Sequence, residues 1–114
     1  MTAARFPFLR IRFAIGWYRD EVEALVDTGC DVAFVIPRDL AASLPEPSYV
    51  GHVMTVSGEP LAVPTWRALI ELVLQPGAFE GATLAIGDEF ILGLPAVNRF
   101  KVTFDHGERL IVEP

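Results

Sequence analysis

Leu9, Ile11, Phe13 and Ile15 alternate with Arg10, Arg12 and Ala14, so one face of this segment is apolar and the other partly charged. A period of two residues is that of a strand with one side turned to a core. Residues 16–20, which begin with a glycine, are expected to turn the chain. Val22, Ala24 and Val26 then alternate with Glu21, Glu23 and Leu25, and the two segments together predict a first hairpin. Residues 32–36 are apolar throughout and are closed by Pro37, the pattern of a short strand buried on both faces.

Residues 38–44 suit one or two helical turns, stopped by Pro45 and Pro47. Residues 49–56 and 61–74 predict a long hairpin with Ser57-Gly58-Glu59-Pro60 at its tip. Pro76-Gly77 predicts a further turn, and residues 83–86 a short strand ended by Gly87-Asp88. Residues 95–99 suit a short helix, since proline is favourable in a first turn. Val102 with Phe104, and Leu110 with Val112, flank Asp105-His106-Gly107 as a final hairpin. Strands separated by turns at such short intervals predict an all-β barrel or sandwich, and residues 1–114 read as one domain without repeat or linker.

Composition narrows the function classes. Hydrophobic residues make up 52% of the 114 residues and charged ones 21%, which excludes a disordered chain. A net charge of −6, with the nine basic residues scattered singly, argues against nucleic acid as a partner. No apolar run reaches the length of a membrane span, so no membrane association is expected. Residues 1–12 lack the apolar core and small-residue cleavage site of a signal peptide. Cys30 is the single cysteine and cannot form an intramolecular disulfide, which fits a reducing compartment; a cytoplasmic location is expected.

The chemistry concentrates in Ala24-Leu25-Val26-Asp27-Thr28-Gly29-Cys30-Asp31, where an apolar strand ends abruptly in Asp-Thr-Gly. A carboxylate set straight after buried residues is costly to ionise unless water or a partner compensates it. Thr28 offers a hydroxyl for orientation, and Gly29 lets the backbone turn tightly or approach a ligand. Alone, the triplet is also an ordinary strand-ending turn. Its setting distinguishes it: a second apolar strand follows, and a second Gly-terminated apolar run, Phe90-Ile91-Leu92-Gly93, recurs downstream.

These two runs, with Asn98-Arg99-Phe100-Lys101-Val102-Thr103-Phe104-Asp105 after them, resemble the retropepsin-like (retroviral-type) aspartic protease family in its bacterial, single-domain form. The resemblance extends from about Leu9 to Val112. It implies an all-β fold, a closed acid-protease-type β-barrel of a single lobe with one short helix. It also implies an aspartic endopeptidase with Asp27, Thr28 and Gly29 as catalytic residues and neither cofactor nor metal. Such chemistry uses two carboxylates sharing one proton. One triplet in so short a chain then implies a homodimer, in which a two-fold axis brings the two Asp27 side chains together. In the family the threonine hydroxyl bonds across the dimer and the glycine admits the substrate. The family's interface holds the chain termini, here Leu110-Ile111-Val112 with Phe6 and Phe8.

The hairpin around Met54-Thr55-Val56-Ser57-Gly58 resembles the family's flap, which closes over an extended peptide or protein substrate. Asp31, Met54, Val56, Ser57 and Gly58 are accordingly the substrate-binding candidates, with Met54, Val56 and Trp66 lining a groove for a largely apolar peptide. From the residues alone, an ordinary surface hairpin with Met54, Val56 and Trp66 in the core reads equally well. Two positions depart from the family. Cys30 stands where alanine or serine is usual and reads as a small core residue, since acidic neighbours do not activate a thiol. Leu94-Pro95 follows Gly93 where the retroviral members often carry an arginine that braces the residue matching Asp31. Asp31 is therefore expected to find Arg99 or a backbone amide instead. An alternative function is a non-catalytic dimeric peptide-binding or scaffolding domain of the same fold.

Other chemistries fail on spacing. His52, His106 and Cys30 form no zinc pattern, Ser57 lacks a nucleophile elbow, and no phosphate-binding glycine loop is present.

Overall fold

The alternating segments become strands that close on themselves, because each has one apolar face to bury. A computed structural model describes residues 2–5, 7–105 and 109–113. Among the described residues there are ten strands: β1 (Thr2–Arg5), β2 (Phe8–Ile15), β3 (Tyr18–Val26), β4 (Phe34–Ile36), β5 (Tyr49–Met54), β6 (Pro60–Leu72), β7 (Gln75–Ala85), β8 (Ile91–Leu92), β9 (Lys101–Asp105) and β10 (Arg109–Glu113). A 3₁₀ helix spans Arg38–Ser43, and one α-helical turn, α1, spans Leu94–Val97.

The sheet order β2-β3-β8-β4-β7-β6 is closed by antiparallel pairing of β6 with β2, from Ile11↔Leu72 to Ala14↔Leu69. The result is a six-stranded barrel. β6 is long enough to leave it, and its first half pairs with β5 to form the projecting hairpin. β1, β10 and β9 form a separate three-stranded antiparallel sheet. No helix among the described residues is long and apolar enough to cross a membrane.

Period-two burial holds where it was expected. Leu9, Ile11, Phe13 and Ile15 on β2, and Trp66, Ala68, Ile70 and Leu72 on β6, are all buried and enter one core. Each of the leucine, isoleucine and phenylalanine side chains contributes on the order of 1.5–3 kcal/mol by leaving water. Phe34 of the all-apolar β4 is fully buried and meets Phe13 edge-on, with ring centroids 5.0 Å apart.

Several boundaries differ from the expectation. The first turn is only Gly16-Trp17, because Tyr18 already pairs with Ile15 and residues 18–20 belong to β3. Pro76-Gly77 is not a turn. The chain reverses at residues 73–74, Leu72 pairs with Gln75, and residues 83–86 are largely the end of a much longer strand. Pro76 and Gly77 instead form an irregularity in β7 opposite Glu71, where Gly77 takes φ +120° and its amide donates to Glu71 Oε2 at 3.2 Å. That backbone conformation is one L side chains rarely adopt. β1 has no counterpart in the sequence reading, and the short helix begins at Leu94 rather than Pro95. The final hairpin forms as β9 and β10, with its tip at His106-Gly107 outside the described residues.

Candidate active site

Buried residues carry β3 as far as Val26, and Asp27 emerges from the barrel end into solvent. The burial expected from the preceding apolar run thus stops one residue short of the carboxylate within a single chain. Backbone bonds fix the loop that follows: the Asp27 amide donates to Leu92 O at 3.0 Å, and the Cys30 amide donates to Asp27 O at 3.1 Å. The Gly29 amide donates to Asp27 Oδ1 at 2.9 Å and orients the carboxylate. Thr28 is exposed, and its hydroxyl forms no hydrogen bond among the described residues.

The loop owes its position to the strand it crosses. β8 lies parallel to β3 (Leu25↔Ile91, Val26↔Leu92) and antiparallel to β4 (Phe34↔Leu92). Residues 27–33 must therefore pass over the end of β8, where the Gly93 amide donates to Ala33 O at 3.0 Å and the Leu94 amide to Cys30 O at 2.9 Å. A Cβ at Gly93 would overlap the Val32 carbonyl oxygen. Glycine is required there by close approach of two backbones.

Asp27 lines a cleft of about 260 Å³ together with Cys30, Val35, Ile86, Asp88, Glu89 and Ile91. Asp31 lines a second cleft of about 390 Å³, with Val32, Tyr49, His52, Val53 and Arg99 among its walls. Arg99 shares that cleft with Asp31 but makes no ion pair with it among the described residues; its guanidinium lies over the Phe79 ring, 5.1 Å from the centroid. Cys30 is half-buried, and its thiol donates to Val32 O at 3.5 Å.

The hairpin candidates stand apart from both clefts in the single chain. Met54 is 70% exposed, and Val56, Ser57 and Gly58 are exposed at the tip. The tip is nonetheless ordered by Thr55, whose carbonyl accepts from the Gly58 amide at 2.9 Å and whose hydroxyl reaches Ser57 Oγ at 2.9 Å and Glu59 O at 3.1 Å. Trp66 belongs to the core, not to a groove: it is buried and donates from Nε1 to Pro45 O at 2.8 Å. Leu110 and Val112 are buried within their own chain, Ile111 and Phe8 are half-buried, and Phe6 lies outside the described residues. No group of three or more His, Cys, Asp or Glu among the described residues is placed to hold a metal ion.

No family model matches the sequence. No curated protein matches it either. The solved structure of the simian foamy virus (mac) protease superposes with a TM-score of 0.58 at 17% identity, covering 80% of this chain and 91% of the viral one. The fold is that of a retroviral protease. The retroviral protease-like domain of Ddi1 from Leishmania major also matches, at 13% identity and TM-score 0.44, over 94% of this chain and 96% of that domain. The retropepsin-like barrel places Asp-Thr-Gly at one barrel end with Ile91-Leu92-Gly93 beside it, so the two Gly-terminated apolar runs of the sequence are neighbours in space.

Sequence reasoning missed the wall opposite Asp27. Ile86, Asp88, Glu89 and Ile91 reach it because β8 pairs in parallel with β3, and nothing in the residues announces a parallel register. The available signal was weaker: a segment leading into a run that must meet the Asp27 strand has to arrive beside Asp27.

Proposed function

We propose that the chain is an aspartic endopeptidase, active as a homodimer in which each protomer supplies Asp27. The observation that carries this reading is Asp27 itself, held at the barrel end by the Leu92 carbonyl and the Gly29 amide and opening on a cleft. A two-fold axis at this end would set two carboxylates side by side. Like charges so close do not both ionise, so the pair holds one proton. The ionised carboxylate takes a proton from water as its oxygen adds to the peptide carbonyl carbon, while the other carboxyl gives its proton to the carbonyl oxygen. Proton transfer to the amide nitrogen then accompanies C–N cleavage and leaves a carboxylic acid and an amine. Thr28, whose hydroxyl forms no hydrogen bond among the described residues, would brace the partner, and Gly29 leaves room for a peptide backbone. Asp31 and the hairpin tip at Met54, Val56, Ser57 and Gly58 flank the bound peptide. The free thiol of Cys30 suits action in the cytoplasm.

Asp27→Asn is nearly isosteric and removes the proton acceptor. The variant is expected to fold and assemble as the wild type does, with cleavage of a peptide library abolished. Wild-type cleavage should be strongest at mildly acidic pH. Peptide binding without turnover in either variant identifies a non-catalytic binding domain instead, and equal cleavage by both removes Asp27 from the mechanism.

A further inference from the structure

The cleft that holds Asp27 is not simply apolar. Val35, Ile86 and Ile91 form its hydrophobic wall, while Asp88 and Glu89 stand exposed at its rim. This rim is anchored on both sides: the Ile86 amide donates to Ile36 O and the Arg38 amide to Gly87 O, each at 3.0 Å, and residue 91 begins the strand paired with β3. Among the described residues neither Asp88 nor Glu89 takes part in an ion pair, whereas Glu21, Glu71, Glu80 and Glu113, all outside this cleft, do. An apolar wall ending in unpaired carboxylates fits a side chain with an aliphatic stem and a cationic head, which buries the stem and keeps the charge at the wet rim.

We propose that Asp88 and Glu89 are specificity-determining residues that select lysine or arginine beside the scissile bond of an extended peptide. The proposal rests on the peptidase reading for the position of that bond, and it replaces the largely apolar substrate expected from the sequence. Exposed ion pairs are individually weak, so two carboxylates together should favour a basic over an isosteric neutral side chain by about five- to tenfold.

The test uses the full chain and a randomised peptide pool to find a cleaved sequence, then a matched pair of peptides with lysine or norleucine at the flanking position. Wild type should cleave the lysine peptide with about five- to tenfold higher kcat/KM. Asp88→Asn/Glu89→Gln, both exposed and compatible with the fold, should bring the ratio near one, with kcat/KM falling more for the lysine peptide than for the norleucine peptide. Equal rates in wild type, or a preference that survives in the double variant, overturn the proposal and leave the peptidase reading standing. If wild type cleaves nothing, the peptidase reading falls and the charge inference is decided by binding of two extended peptide pools that differ only in lysine or norleucine at one fixed position. Lysine-selective binding lost in the double variant upholds it, and equal binding overturns it.

Discussion

Gly93 lies against the Val32 carbonyl with no space for a Cβ between them. This contact lets residues 27–33 cross the end of β8 and holds Asp27 over the barrel. Gly93→Ala must push two backbones apart, since Cys30 O is only 2.7 Å from the same point. The expected cost is about 3 kcal/mol or more, at the upper end for overpacking, read as a lower urea midpoint. Unchanged stability would mean that the loop does not need this contact.

Trp66 tests the assignment of the hairpin base to the core. Trp66→Phe loses the Nε1 bond to the Pro45 carbonyl and part of the buried ring. A loss of about 1–3 kcal/mol is expected, with peptide binding or cleavage unaffected at temperatures where the variant is folded. A selective loss of peptide affinity at full stability would return Trp66 to the groove.

Thr55→Val removes the side-chain bonds to Ser57 and Glu59 that close the hairpin tip. The Gly58 amide should then exchange with solvent about fivefold faster or more, since a lost exposed hydrogen bond is worth about 1 kcal/mol. Global stability should hardly change. Hydrogen-exchange NMR measures both.

Glu21 gives the stability a pH dependence of known sign. The hydrogen bond from Arg10 at 2.8 Å holds its carboxyl below the ordinary value of 4.5, with Arg12 adding a second bond at 3.2 Å. A carboxylate depressed in the folded state stabilises above its unfolded pKa and loses that contribution as pH falls through the folded value. Glu21→Gln should therefore lower the urea midpoint near neutral pH and differ less from wild type in acid. The pair is exposed, so raised salt should shrink the difference as well. A difference that grows on acidification would contradict the assignment.

The proposed catalytic pair requires two chains. Sedimentation at micromolar concentration should show a dimer, and a strict monomer at high concentration would remove the peptidase reading. Because Leu110 and Val112 are already buried in their own chain, an Ile111→Lys substitution on the outward side of β10 should weaken the dimer while leaving the monomer folded.

Period-two alternation in residues 9–15 and 21–26 was enough to place the first two barrel strands, because the burial of one strand face is a local property of the residue order. Asp27-Thr28-Gly29 and Gly93 were legible for the same reason, each as the end of an apolar run. What local order does not contain is which strand lies beside which. The parallel pairing of β3 with β8 brings Asp88 and Glu89 to Asp27, and the bond to the Pro45 carbonyl, 21 residues away in sequence, holds Trp66 inside. Pro76-Gly77 looks like a turn by composition, yet the pairing of Leu72 with Gln75 reverses the chain earlier and leaves the glycine within β7. The short β1, Thr2–Arg5, carries no alternation to announce it and is a strand through its pairing with β10. Residue order decides which faces are apolar; the contacts that close the barrel decide which residues share a cleft, because those contacts join positions far apart in the chain.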